Sequence, residues 1–217
     1  IRAMRRSYGE LGLSEGDANP NPITQFEIWL TAAAENPYVV EANAMVLSTL
    51  GSDSNGNDAL STRTVLLKDI SQGGFTFFSN YSSRKAQAIE LNSQVTLLFP
   101  WYAMERQVSI SGFATKISRA ESEDYFATRP WNSQIGAWAS AQSAPLSSRE
   151  ELEQRFAGAA QKWPEGTTVA CPPQWGGYRV TPISIEFWQG RYSRLHDRLR
   201  YERDNTSSDW EVSRYYP

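Results

Sequence analysis

Apolar positions fall into a regular period only after a polar, turn-rich stretch. Residues 1–21 show neither helical nor strand periodicity and end in Asn19-Pro20-Asn21-Pro22, so they read as an arm and not as core. Asn21 then offers an N-cap and Pro22 suits the first helical position. Ile23, Phe26, Trp29, Leu30 and Ala33 recur at helical spacing, and Asn36-Pro37 ends the run. This predicts an amphipathic helix with one buried face.

The pattern after that helix predicts β structure. Ala44 to Leu50 reads as a strand, the Ser/Asp/Asn/Gly run from Gly51 to Asn57 as a turn, and Ser61 to Lys68 as the returning strand. Gly73-Gly74 breaks the chain before Phe75 to Ser79. Arg84 to Leu91 predicts a short helix, followed by a strand pair over Val95–Trp101 and Gln107–Ile117. Ser118-Arg119-Ala120-Glu121 has the form of a capping box opening a helix to about Thr128. Ser148 opens another helix reaching Lys162, with a shorter one over Asn132–Ser140 between them. The tail returns to strands at Gly177–Thr181, Ile183–Gln189, Arg198–Arg203 and Trp210–Arg214. Strands that mostly follow one another directly predict an antiparallel meander, hence a closed or partly closed barrel with helices outside and not a doubly wound sheet. With no internal repeat and no long linker, residues 22–217 read as a single domain behind the arm of residues 1–21.

Composition narrows the function. The chain has 217 residues, 40% hydrophobic and 21% charged, with a net charge of −3. These values fit an ordinary globular domain and argue against general nucleic-acid binding. Of the 21 basic residues only four are Lys, a skew toward the planar guanidinium fork that suits phosphate and carboxylate. Cys171 is the only cysteine and His196 the only histidine, so an intramolecular disulfide is impossible and a structural zinc site is not expected. No apolar run reaches membrane-spanning length. The expected compartment is the cytoplasm, or an organelle if a targeting segment once preceded residue 1.

Four groups of residues can carry chemistry. Phe187-Trp188-Gln189-Gly190 followed by Arg194-Leu195-His196-Asp197-Arg198 gathers an indole, an imidazole, a carboxylate and, with Arg191, three guanidinium groups within about one strand and its turn. Such a group can bind an anion and present a flat surface, or it can be a solvated hairpin end with the Trp on the core side. Arg63-Thr64-Val65-Leu66-Leu67-Lys68 is either a core strand with solvated ends or a strand whose two cations face opposite sides and serve two anions. Asn80-Tyr81-Ser82-Ser83-Arg84-Lys85 leads into a helix N-terminus and is either a capped surface helix or a phosphate cradle. Tyr125, Arg129 and Ser133 are spaced by four, the first two sharing a helix face before Pro130 interrupts it. They are either a solvated face or a wrap around a phosphate. Gln107 and Gln142-Ser143 add neutral hydrogen-bonding groups suited to a heterocycle.

The ordered set of these segments resembles the pyridoxamine/pyridoxine 5′-phosphate oxidase family over nearly the whole chain, from Arg5 to Pro217. Further matching pieces are Leu98-Phe99-Pro100-Trp101, Glu105-Arg106-Gln107-Val108, Ser133-Gln134-Ile135-Gly136-Ala137 and Trp175-Gly176-Gly177. The resemblance implies an FMN-binding split β-barrel, mainly antiparallel with helices outside, working as a homodimer with active sites at the subunit interface. It implies oxidation of pyridoxamine or pyridoxine 5′-phosphate to pyridoxal 5′-phosphate in vitamin B6 metabolism. The hydride would pass from C4′ to the flavin N5, and O2 would be reduced to H2O2. FMN contacts carried over by position are Arg63, Thr64, Val65, Leu66, Leu67, Lys68, Phe78, Ser79, Arg84, Lys85, Gln107, Gln142, Ser143, Trp188 and Arg198. Substrate contacts are Lys68, Tyr125, Arg129, Ser133, Arg194 and His196, the last two being the catalytic pair. Arg5, Arg6, Ser7 and Tyr8 would belong to an arm able to close over the site. No metal, membrane or nucleic-acid partner is implied. Phe78 stands where the family commonly has Tyr, and Tyr215-Tyr216 replace smaller residues before the final Pro. Two other readings remain at this level: a split-barrel flavin or deazaflavin reductase, and a non-enzymatic flavin or pyridoxal-phosphate carrier.

Overall fold

The computed structural model describes residues 7–53 and 55–217. Arg5 and Arg6 lie outside the described residues. Five helices flank one antiparallel sheet: α1 (Pro22–Glu35), α2 (Arg84–Leu91), α3 (Arg119–Ala127), α4 (Trp131–Ala139) and α5 (Arg149–Lys162). The strands are β1 (Ala44–Ser52), β2 (Asp58–Leu66), β3 (Asp69–Ser71), β4 (Gly74–Asn80), β5 (Gln94–Trp101), β6 (Arg106–Lys116), β7 (Trp175–Gln189), β8 (Asp197–Glu202) and β9 (Glu211–Arg214). Their order is β2-β1-β5-β6-β7-β4-β3, with β8 on β7 and β9 on β8.

The topology brings the two ends of this path together. β2 and β3 are the outermost strands, yet only Leu67 and Lys68 separate them in the chain. The sheet must therefore roll until its edges meet. Leu67 N–H donates to Asn43 O and Lys68 N–H to Thr76 O, so these two residues bridge from one edge to the other. β2 and β4 form no ladder with each other. The result is a barrel split along the β2/β4 seam, as the meander pattern predicts, but not a closed one.

Alternating side chains fill the interior. Met45 and Leu47 of β1, Val95, Leu97, Phe99 and Trp101 of β5, and Val108 and Ile110 of β6 are buried at every second position. Phe26 of α1 has no exposure and meets the rings of Phe75, Phe99 and Trp101 at 4.7–5.9 Å. Asn21 caps this helix through its side chain, which accepts from the Ile23 and Thr24 N–H groups. A second apolar cluster forms outside the barrel around Phe126, Ile135, Val169 and Trp175, covered by α4 and α5.

Two differences from the sequence expectation have clear causes. Gly177–Thr181 and Ile183–Gln189 are one continuous strand, because the register shift between Ser111 and Gly112 leaves Ile183 as the extra residue of a bulge beside Pro182. The bulge also flips the inward phase of β7 from Tyr178 and Val180 to Ile185 and Phe187, so Trp188 faces outward. The arm is not wholly outside the core: Leu13 is buried in the main cluster, and Asn19 O accepts from the Tyr201 hydroxyl.

Gly112 has no room for a side chain, since a Cβ there would lie 2.2 Å from Thr181 O and 2.8 Å from Pro182 Cα. Backbone cannot yield as a side chain can. Gly112→Ala should therefore destabilise the fold by about 1–3 kcal/mol. Gly158→Ala in α5, where a Cβ meets nothing within 4 Å, should instead stabilise by up to about 1 kcal/mol. Denaturant midpoints of both variants check the pair.

Candidate functional site

The seam of the barrel opens into a cavity of about 790 Å³. β2 contributes Arg63 to Leu66, the bridge contributes Lys68, and β4 contributes Phe78 and Ser79. Arg84 and Lys85 enter from α2, and Tyr125, Arg129, Ser133, Gln142 and Ser143 from the helical side. Among the described residues, five cations line this space and no carboxylate does. Such one-signed crowding is unfavourable without an anionic guest.

Arg63 projects from β2 toward β1, donating to Leu47 O at 3.0 Å and to Thr49 Oγ1 at 2.9 Å. Burial depresses its proton affinity and Arg84 adds to the effect. Burial, and then Arg63, does the same to Lys85. Lys85 Nζ donates to Gln142 Oε1 at 2.9 Å and to Ser79 Oγ at 3.2 Å, and Ser79 Oγ also donates to Gln142 at 3.1 Å. Ser83 stands at the N-cap position of α2, yet its hydroxyl makes no capping bond. It is drawn toward Lys85 and Ser79 instead.

Arg129 stands beside this group. α3 ends at Ala127, so Arg129 lies in the connector and not on the helix face with Tyr125 as the spacing suggested. Pro130 occupies the N-cap position of α4, and Ser133 lies in its first turn. Phe78 stacks on Tyr125 (3.9 Å, 14° between planes) and lies parallel to Trp175 (5.1 Å, 8°). The Arg129 guanidinium sits 4.7 Å from the Trp175 ring centroid. Its Nη1 is buried with no hydrogen-bond partner among the described residues. Burial lowers the proton affinity of Arg129, against an opposing pull from Tyr125.

Two sequence expectations change here. Arg63 and Lys68 do not serve opposite sides: β2 stops at Leu66, the chain turns into the bridge, and both line the same cavity. Leu67 does not face the cavity. Its side chain is in the core, and its N–H and C=O both pair with Asn43. Trp175, Asn80, Gly136 and Ser140 line the cavity without having been singled out for it. Trp175 carried a signal, since it opens the Trp-Gly-Gly segment, but nothing local placed that segment beside Arg129.

Gln107, Trp188, Arg194, His196 and Arg198 are not brought to this cavity. Gln107, Trp188 and Arg198 are laterally paired across β6, β7 and β8 and form a row on the outer sheet face, opposite the buried Val108, Phe187 and Leu199. The Trp of this stretch is therefore not on the core side. Glu186 accepts from Arg198 at 3.1 and 2.9 Å, and from Arg200 at 2.8 Å. Burial works to raise the Glu186 pKa, but these two guanidinium groups outweigh it and keep it low.

His196 accepts the Arg191 N–H on Nδ1 at 3.0 Å, so its neutral form carries the proton on Nε2. Burial and then Arg194 lower its pKa, while Asp197 opposes them. Tyr8 reaches this corner, with its ring 5.4 Å from His196 and 5.8 Å from Trp188. Ser7 is exposed beside it. Among the described residues no group of three His, Cys, Asp or Glu could hold a metal ion, and no helix is long and apolar enough to cross a membrane.

Residues 32–163 match the family described as pyridoxamine 5′-phosphate oxidase, and residues 175–217 match the pyridoxine 5′-phosphate oxidase C-terminal dimerisation region. A pyridoxine/pyridoxamine 5′-phosphate oxidase of Rubrobacter xylanophilus is 49% identical, over 100% of this chain and 96% of its own. One of Streptomyces avermitilis is 47% identical, over 99% and 95%. Among solved structures, PhzG from Burkholderia lata, in complex with tetrahydrophenazine-1-carboxylic acid, superposes with a TM-score of 0.85 at 30% identity, covering 96% of this chain and 99% of that one. An FMN-binding protein from Nostoc punctiforme shares the fold at a TM-score of 0.69 and 15% identity. The split barrel, the cation-lined seam and these full-length similarities agree: the chain belongs to the pyridoxamine 5′-phosphate oxidase family.

Proposed function

We propose that this protein oxidises pyridoxamine 5′-phosphate and pyridoxine 5′-phosphate to pyridoxal 5′-phosphate with FMN as cofactor and O2 as final electron acceptor. The observation that carries the reading is the seam cavity, with five cations, no carboxylate and a parallel aromatic stack in one space. Those features fit two phosphate esters carrying flat rings better than any uncharged ligand. The cradle of Arg63, Ser79, Arg84 and Lys85 suits the FMN phosphate, with Gln142 and Ser143 beside it. There is no dinucleotide fingerprint to favour a larger flavin.

When bound, FMN supplies the acceptor for the substrate's C4′ hydride and the route by which O2 becomes H2O2. The chain's own residues do the rest. Lys68, Tyr125, Arg129 and Ser133 hold the substrate phosphate, so binding energy remote from C4′ fixes the ring's register. Trp188, Gln107 and Arg198 present a flat, polar-edged surface for the flavin. Arg194 and His196 face the substrate, with the Nε2–H of neutral His196 able to donate a hydrogen bond. These five residues lie away from the cavity of their own chain, and all but Gln107 fall in the stretch that matches the dimerisation region. A homodimer in which each copy completes the other's site reconciles the two halves. The test of the activity is aerobic addition of pyridoxamine 5′-phosphate to FMN-loaded protein, following pyridoxal 5′-phosphate and peroxide. Flavin reduction by a nicotinamide donor without aldehyde formation would favour the reductase reading, and bound flavin with no turnover would favour the carrier.

Arg129→Ala should lower kcat/KM for pyridoxamine 5′-phosphate about tenfold to a hundredfold, the worth of one charge-assisted hydrogen bond, with FMN affinity unchanged in a parallel titration. Shared sites predict complementation. Arg129→Ala and His196→Ala chains, each impaired alone at low substrate, should regain up to about a quarter of parental activity when refolded together, because half of random dimers then carry one intact site. Because its pKa is lowered, His196 stays neutral at pH 7 and below its ordinary value of about 6.5. Activity should hold through neutrality and fall only on the acid side, and His196→Asn should abolish that limb in a kcat/KM pH profile.

A further inference from the structure

Arg129 is held in the cavity without a carboxylate partner. It follows the end of α3, in a connector and not on a regular element. Burial leaves its Nη1 without a hydrogen-bond partner among the described residues, and no carboxylate lines the space. A long side chain with that much rotamer freedom points at one place only if something holds it. What holds it is aromatic: the guanidinium lies 4.7 Å from the centroid of Trp175 and 5.5 Å from that of Phe126. Trp175 and Phe126 pack edge to face at 5.1 Å.

Trp175 is itself fixed from three sides. Phe78 and then Tyr125 stack parallel to it, at 5.1 and 6.2 Å between centroids. Its carbonyl accepts from Arg119 Nη1 at 3.0 Å, and the same guanidinium grips Pro172 O and Cys171 O. As the first residue of β7 it pairs with Asn80 at the end of β4, which ties it to the barrel wall.

We propose that Trp175 is a positioning residue that orients the Arg129 guanidinium toward a phosphate ester in the seam, and so sets the preference for phosphorylated over unphosphorylated ligands. This rests on the function proposed above. A cation on an aromatic face keeps its charge and its in-plane N–H donors while losing none of them to a carboxylate. An acid in the same place would hold Arg129 equally firmly but would compete with the phosphate. Trp175 supplies orientation without competition, leaving the charge of the cavity-lining guanidinium uncompensated for the guest.

The test is a double-mutant cycle read by binding. FMN-saturated parent, Trp175→Leu, Trp175→Phe, Arg129→Ala and the Trp175→Leu/Arg129→Ala double variant are titrated with pyridoxal 5′-phosphate and with pyridoxal, alongside FMN affinity and the thermal midpoint. Trp175→Leu should weaken pyridoxal 5′-phosphate about tenfold and leave pyridoxal and FMN unchanged. Trp175→Phe should keep most of the affinity, because it keeps an aromatic face. In the Arg129→Ala background the Leu change should have little further effect, since Trp175 acts through Arg129. Additive losses, or equal losses for both ligands, would overturn the positioning role while leaving the oxidase reading standing. Loss of FMN or of folding in Trp175→Leu, with Trp175→Phe binding no better than Arg129→Ala, would also overturn it, in favour of a packing role. A parent protein that neither binds nor forms pyridoxal 5′-phosphate would remove the underlying reading and this proposal together.

Discussion

The constraint on which the rest of the molecule depends is the two-residue bridge of Leu67 and Lys68. It joins the first and last strands of a seven-strand path, so the sheet has to roll, while β2 and β4 form no ladder with each other. The bridge is held at both sides by backbone hydrogen bonds to Asn43 and Thr76, and Leu67 is sunk in the core. Through the seam left open, side chains of β2 and β4 share a space with those of α2 and the α3–α4 connector. Lys68 lies in the bridge itself, which is why it lines the cavity while Leu67 does not.

That seam concentrates positive charge. Arg63 and Lys85 are partly desolvated and close enough to lower each other's or a neighbour's proton affinity. The protein tolerates this because each cation has neutral acceptors: Leu47 O and Thr49 for Arg63, and Gln142, Ser79 and Ser83 for Lys85. Neutral acceptors orient a cation and leave its charge uncompensated, which is the condition for binding an anion strongly. The outer face of the same sheet uses the opposite device. There Glu186 pairs with Arg198 and Arg200, while on the other side of β8 Asp197 pairs with Arg214. These ion pairs brace β8 and β9 beside the Trp188 row.

The arm and tail close that outer corner. Leu13 N–H donates to Asp197 and Leu13 O accepts from Arg214, so residue 13 is held at both backbone groups by the C-terminal strands. From that anchor the chain runs back to place Tyr8 on His196 and Trp188. Tyr215 N–H donates to Arg198 O, and Tyr216 O accepts from Arg198 Nη1. The unusual Tyr-Tyr ending therefore packs against the strand that carries one of the proposed flavin contacts.

Local pattern determined the elements. Period and punctuation marked α1 to α5 and most strands to within a few residues, because Asn21, Ser118, Ser148 and the Gly/Asn turns act on their immediate neighbours. The ordered motifs also made the family and the proposed contacts legible, since the motif residues lie in sequence order however the chain is folded. Tertiary structure alone decided which of those residues meet. The bulge at Gly112 reverses which side of β7 faces inward and so turns Trp188 outward, an effect of pairing with β6 that β7's own sequence does not encode. Arg63 and Lys68 share a cavity because the chain changes strands between them. Trp175 lies under Arg129 because β7 begins where α3 ends in space, although 46 positions separate them in the chain. Contacts of that kind depend on how strands pair and roll, and these are properties of the whole sheet and not of any segment within it.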